Sequence, residues 1–246
     1  MAGHSKWKNI RLRKGKQDAI RGKTFTKLSR EIIVAAKAGG GDIAMNPRLR
    51  AAVEKARAES VPVDNIKRAI DRGTGAVEGA NYEEIIYEGK GPGGAALILK
   101  CYSENRNRTV AEIRHALNKN GGALGENGSV AWQFKFVGQI SIDAAGVSED
   151  DFTMAALEAG AEDVEVDAEE MTVTTAMEDL HRVNAGLEAA GYKTRDVELT
   201  YVATNKAELS GEDQEKLLNL LDALDDLDDV QETYVNVDIQ EEALDE

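Results

Sequence analysis

Tyr82-Glu83-Glu84-Ile85-Ile86-Tyr87-Glu88-Gly89-Lys90-Gly91-Pro92-Gly93-Gly94-Ala95-Ala96-Leu97-Ile98-Leu99-Lys100-Cys101-Tyr102 is the passage on which the fold class turns. Its centre, Gly89–Gly94, meets the spacing G-x-G-x-x-G after a strand-like run. In a dinucleotide site a helix opens on those glycines and aims its N-terminus at the pyrophosphate. Here a continuous apolar run of strand character, Ala95–Tyr102, follows instead, and Pro92 suits a turn. The passage therefore predicts two strands, Tyr82–Glu88 and Ala95–Tyr102, closed as a β-hairpin. A nucleotide-binding sheet is set aside, and the chain contains no G-x-x-x-x-G-K-[ST] to reopen the question.

Upstream of the hairpin the period is helical. Phe25, Leu28, Ile32, Ala35 and Ala36 recur at helical spacing until Gly39-Gly40-Gly41. Asn46-Pro47 predicts an N-cap and first position for a helix carrying Leu49, Val53 and Ala56. Val61-Pro62 ends it, and Asp64 is expected to cap a short helix that uses Ile66, Ala69 and Ile70 and stops at Gly73. Residues 1–16 read as a mobile, polar, basic arm. Downstream come a helix at Asn107–Asn120, a glycine-rich loop at Gly121–Ser129, and strands at Val130–Val137 and Gln139–Asp143. A helix at Asp150–Ala159, strands at Asp163–Val166 and Met171–Thr175, a helix at Met177–Ala190 and a strand at Asp196–Ala203 follow. A leucine-rich helix, Gly211–Leu227, and a strand, Glu232–Ile239, finish the pattern. The order β-α-β-β-α-β points to split-βαβ, ferredoxin-like units in an α+β protein.

The 246 residues carry 30 Lys+Arg against 45 Asp+Glu, a net charge of −15. That sum hides a polarity. Residues 1–75 hold 18 basic and 7 acidic side chains, residues 76–138 hold 7 of each, and residues 139–246 hold 5 and 31. The basic excess is densest in residues 1–38, with 11 against 2, which is more than pairing with the acidic end requires. Such asymmetry marks interaction with nucleic acid. One cysteine excludes a disulfide framework and a cysteine-rich zinc site. No apolar run reaches the length of a membrane helix and the N-terminus lacks the core of a signal peptide, so a cytoplasmic protein is expected.

Catalytic patterns are thin. Glu112 and His115 stand three apart on a helix, where a solvated ion pair is the expected arrangement. Cys101 ends an apolar strand with no base beside it in sequence, as a packed thiol does. Cationic patterns are stronger. His4, Lys6, Trp7, Lys8, Arg11, Arg13, Lys14 and Lys16 interleave cations suited to phosphate neutralisation with one aromatic ring, which could equally stack on a base or anchor the arm on its own domain. Arg21, Lys23, Lys27 and Arg30 carry the track onto the first helix. Residues 46–72 resemble a helix-turn-helix whose second helix would expose Asn65, Arg68 and Arg72, although a three-helix packing with a solvated basic face explains the same residues. Arg106, Arg108 and Arg114, with backbone N–H groups of the loop at 121–129, are further candidates for phosphate, although Arg108 or Arg114 could equally pair with the acidic domain.

Met1-Ala2-Gly3-His4-Ser5-Lys6-Trp7, Arg21-Gly22-Lys23, Gly39-Gly40-Gly41, Asn46-Pro47-Arg48-Leu49-Arg50, Tyr87–Gly94, Asn105-Arg106-Asn107-Arg108-Thr109 and Gly121-Gly122-Ala123-Leu124-Gly125 together resemble the YebC family along the whole chain. Lys90 stands where members of that family often have an aromatic residue. The resemblance implies three domains: an all-α N-terminal domain at 1–77, an α/β domain at 78–130 plus 205–246, and an acidic ferredoxin-like domain at 131–204 inserted into the second. It implies a non-enzymatic regulator of gene expression that binds DNA through its basic N-terminal domain. The family also includes mitochondrial translational activators, and bacterial members are linked to ribosomes stalled on proline-rich stretches. The alternative is therefore a ribosome-associated factor that binds ribosomal RNA. No cofactor, metal, membrane or small-molecule substrate comes with the resemblance.

Overall fold

The computed structural model describes residues 17–79, 81–209 and 211–238, and the basic arm expected at residues 1–16 lies outside them. Seven α-helices and two four-stranded sheets make up the described chain. Described residues of 10–130 and 209–233 cluster into one compact unit, and those of 131–208 and 234–241 into another.

In the first unit, α1 (Gln17–Gly39) is the platform on which both α2 (Pro47–Ala58) and α3 (Val63–Gly73) lie. Leu28, Ile32, Ala35 and Ala36 of α1 bury themselves against Leu49, Ala52 and Val53 of α2 and Ile66 and Ala69 of α3. The end of α3 comes so close to α1 that a Cβ on Gly73 would stand 2.5 Å from the Ile33 carbonyl oxygen. Asn46 caps α2 as its position predicts, accepting from the Leu49 N–H at 3.0 Å. Its amide nitrogen also donates to the carbonyls of Ala35 and Gly40, at 2.9 and 2.8 Å, which ties the start of α2 to the end of α1. Asp64 does not cap α3. That helix opens one residue earlier behind Pro62, with no side-chain cap bond, because proline's fixed φ already sets the first turn.

The hairpin forms. β1 (Glu83–Lys90) and β2 (Ala96–Ser103) pair antiparallel without a break from Glu83↔Ser103 to Lys90↔Ala96. Between them Pro92–Gly94 makes a short 3-10 turn, and the Gly91 N–H donates to the Ala95 carbonyl at 2.7 Å. Gly93 is required twice over: its φ is +62°, and a Cβ would meet Leu209 at 2.4 Å. α4 (Arg106–Lys119) follows, capped by Asn105, whose Oδ1 accepts from the Arg108 N–H at 3.1 Å. The loop expected at 121–129 holds a two-residue strand, β3 (Ala123–Leu124), paired with Gly89 and Lys90 and too short to show a period.

In the second unit β4 (Phe134–Asp143), α5 (Glu149–Ala159), β5 (Asp163–Val166), β6 (Glu170–Thr175), α6 (Leu180–Ala189) and β7 (Thr194–Ala203) run in the expected β-α-β-β-α-β order. The sheet order is β5-β6-β4-β7 with antiparallel pairs throughout, the split-βαβ arrangement. Ile140, Ile142, Met171 and Val173 of the sheet close on Phe152 and Ala156 of α5 and on Leu180, Val183 and Leu187 of α6. The two strands expected at 130–143 are one. Gly138 stays in the ladder between Thr175 and Leu199, while Ala131–Gln133 is a 3-10 turn. The helix expected from Met177 begins as a 3-10 turn and becomes α-helical at Leu180.

α7 (Gly211–Asp225) and β8 (Val230–Val235) complete the chain, and β8 takes its place beside β2 in the sheet β3-β1-β2-β8. α7 stops at Asp225, short of the expected Leu227. Carboxylates at a helix C-terminus oppose the macrodipole, and a run of them favours an early end.

Candidate nucleic-acid interface

Lys23, Lys27 and Arg30 are spaced i, i+4 and i+7 on α1 and so share one face. That face meets the acidic turn between α7 and β8. Lys23 Nζ lies 2.7 Å from Asp226 Oδ1 and 3.4 Å from the Asp226 carbonyl oxygen. Lys27 pairs with the Asp225 carboxylate and donates to its carbonyl at 3.1 Å. Arg30 donates to the Asp228 carbonyl and lies 3.0 Å from Asp229 Oδ1. Gln231 closes the seam by donating to the Lys27 carbonyl at 3.3 Å.

Asp229 is the centre of this arrangement. Its side chain is 2 % exposed, yet it accepts from Thr109 Oγ1 at 2.6 Å, from Ser103 Oγ at 3.3 Å and from Arg108 Nη2 at 3.0 Å. Burial works to raise the carboxyl's pKa. The hydrogen bonds from Thr109 and Arg108 and the charges of Arg30 and Arg108 outweigh it and hold the group below its ordinary range. Arg108 thus serves two carboxylates, since Glu104 lies 3.7 Å from Nη1. Arg106 forks onto Glu83, with Nε at 3.0 Å and Nη2 at 2.8 Å.

The glycine-rich loop does not present its N–H groups outward. Glu88 on β1, 5 % exposed, accepts the N–H groups of Gly128 and Val130 through its carboxylate at 2.6 and 2.7 Å, and that of Gly125 through its carbonyl at 2.8 Å. The Gly122 N–H goes to the Leu117 carbonyl at 2.8 Å. These amides are satisfied internally.

On α3, by contrast, Lys67, Arg68 and Arg72 are exposed, and among the described residues none of them forms an ion pair. Asn65 is half-buried and Asp64 shares the exposed surface. His4, Lys6, Trp7, Lys8, Arg11, Arg13, Lys14 and Lys16 lie outside the described residues, as does the side chain of Arg21. Sequence reasoning named the cations of α1 but missed Asp225, Asp226, Asp228 and Asp229, which hold them. The available signal was a run of acids directly after a leucine-rich helix.

Chemistry beyond charge is sparse among the described residues. No group of three His, Cys, Asp or Glu is placed to hold a metal. Glu112 and His115 are both exposed on α4, and the expected ion pair between them does not form. Cys101 is a buried free thiol, pushed up to about 12 by burial and by the nearby Asp229 charge. No described helix is long and apolar enough to cross a membrane.

This is an α+β protein of two sheet-bearing units, the first of which begins with a basic helical segment, and its charge is sorted along the chain. It belongs to the TACO1/YebC family: residues 5–76 match that family's N-terminal domain, and residues 82–237 match its second and third domain. A protein of Acidithiobacillus ferrooxidans called "Probable transcriptional regulatory protein" is 52 % identical over 99 % of this chain and 97 % of its own. One of the same description from Thermotoga maritima is 49 % identical over the whole of this chain and 97 % of its own. The crystal structure of a conserved hypothetical protein from Aquifex aeolicus is similar, with a TM-score of 0.84, 43 % identity, and coverage of 93 % of this chain and 95 % of that one.

Proposed function

We propose that this chain is a non-enzymatic regulator of gene expression that acts in the cytoplasm and binds nucleic acid through its basic N-terminal residues. The observation that carries the reading is the charge sorting, with 18 basic against 7 acidic side chains in residues 1–75, combined with exposed cations on α3 that form no ion pair among the described residues. Cations of this kind neutralise phosphates and release counterions. On this reading residues 1–77 are the docking domain, 78–130 with 205–246 form a second domain, and the acidic 131–204 faces away from phosphate. The regulatory role agrees with what the relatives are called.

DNA is the first target that those names suggest. One observation favours ribosomal RNA: α3 is only 11 residues long, and Asp64 and Asp71 interrupt its cationic face, a poor surface for reading a groove edge by edge. Ultraviolet crosslinking in cells, purification of the protein and sequencing of the attached nucleic acid separates the two. Discrete promoter DNA lost only with DNase establishes the transcriptional reading. Signal on ribosomal RNA lost with RNase makes the protein a translation factor. Absence of both crosslinks overturns the proposal.

A further inference from the structure

The turn after α7 shows α1 nothing but acceptors. The carboxylates of Asp225, Asp226 and Asp229 and the main-chain carbonyls of Asp225, Asp226 and Asp228 line up against Lys23, Lys27 and Arg30. One helical turn, about 6 Å of rise, separates the first two cations. A phosphate backbone would offer the same cations the same thing: a row of anionic oxygens with no donors among them.

The three contacts are graded in burial. Lys23 and Asp226 are 40 % and 61 % exposed, Lys27 and Asp225 are 13 % and 23 %, and Arg30 and Asp229 are 10 % and 2 %. The inner contact is pinned by Thr109, Ser103 and Arg108, which bind the same carboxylate. Asp225 and Asp226 stand at the C-terminal end of α7, where the macrodipole disfavours a negative charge.

We propose that Asp225–Asp229 is a phosphate-mimicking clasp: it occupies the α1 cations in the free protein, and nucleic acid reaches Lys23 and Lys27 by displacing Asp225 and Asp226 while Asp229 stays as the hinge. The clasp sets a threshold for binding, so a backbone that also engages other cations opens it and stray phosphate does not. This rests on the nucleic-acid reading above and adds the regulation of that site.

The test uses the full chain and two probes, a labelled single-stranded RNA and a labelled DNA duplex, each of mixed sequence, over a range of salt. In Asp225→Asn/Asp226→Asn nothing has to be displaced from Lys23 and Lys27, so affinity rises about tenfold, while the log–log salt slope, set by the same phosphate contacts in the open complex, stays within about 1 of the wild type. Asp150→Asn/Glu158→Gln changes the net charge equally at exposed positions of α5, outside the docking residues 1–77, and its effect stays within about twofold, as screened charges remote from the contact do. In a Lys23→Gln/Lys27→Gln background, the Asp225→Asn/Asp226→Asn change leaves affinity where it was. If the double variant unfolds at lower temperature than the wild type, Asp226→Asn alone, at the exposed pair, carries the test with a rise in affinity of about threefold.

Wild-type protein that binds with a salt slope while Asp225→Asn/Asp226→Asn behaves like Asp150→Asn/Glu158→Gln overturns the clasp and leaves the nucleic-acid reading standing. Wild-type protein that binds neither probe overturns both.

Discussion

Asp229 shows how one side chain can hold a region together without any catalytic duty. It is buried, ionised and shared by Arg30, Arg108, Thr109 and Ser103. Removing one member of a buried, hydrogen-bonded charge network is strongly destabilising, because the remaining charges stay desolvated. Asp229→Ala is expected to lower the stability of the first unit by about 3 kcal/mol in urea unfolding. The pH dependence follows from the direction of its shift. A carboxyl held below its ordinary 3.8 contributes stability that is complete above that value and is lost as pH falls through the lowered folded pKa. Acid unfolding of the wild type should therefore steepen below pH 3.8, and Asp229→Asn should flatten that limb. Cys101 gives the opposite sign. Its thiol is raised from 9.0 to about 12, so its contribution is present below 9.0 and is lost as pH climbs toward 12. The native protein should leave a thiol reagent such as DTNB unreacted at pH 8, and one equivalent should react after unfolding.

At the scale of elements, most boundaries were legible because local chemistry writes them. Asn46-Pro47 begins a helix at the predicted place, the helix expected from Asn107 opens one residue earlier behind Asn105, and the glycine-rich hexapeptide turns a hairpin where its apolar sequel said it would. Where the reading slipped, tertiary contacts or brevity were responsible. β3 exists only because Gly89 and Lys90 offer an edge to Ala123 and Leu124. Gly138 would split a strand by propensity, yet neighbours on both sides keep it in the ladder. Asn46 makes three hydrogen bonds, one as a cap and two across to α1. Asn46→Ala is expected to cost about 2 kcal/mol, the upper part of the range for a cap, with Asn46→Asp recovering the capping share only. Thermal or urea unfolding of both variants checks this.

For the molecule as a whole, charge rather than shape carries the functional reading. Residues 131–208 hold 5 basic and 17 acidic side chains, a composition that repels phosphate, while residues 1–75 attract it. Cations that touch phosphate reveal themselves through salt dependence. In filter-binding or anisotropy measurements, Lys67→Gln/Arg68→Gln/Arg72→Gln should weaken binding to every sequence alike and flatten the log–log salt slope by about 2 to 3. A change confined to one sequence would instead identify α3 as a reader of bases. The solvated ion pair expected between Glu112 and His115 does not form, and both side chains are exposed.

Period, capping residues, turn glycines and the sorting of charge are properties of neighbours along the chain, and they alone are enough to yield the α+β class, the helical start, the ferredoxin-like unit and the attraction to phosphate. Which cations remain available is a different kind of fact. Lys23, Lys27 and Arg30 read as an open basic track until residues two hundred positions away close on them. The glycine loop reads as a nest of free amides until Glu88 fills it. Helix and hairpin signals act over a few residues, whereas an ion pair depends on distance in space, and only the folded chain brings Asp225–Asp229 to α1.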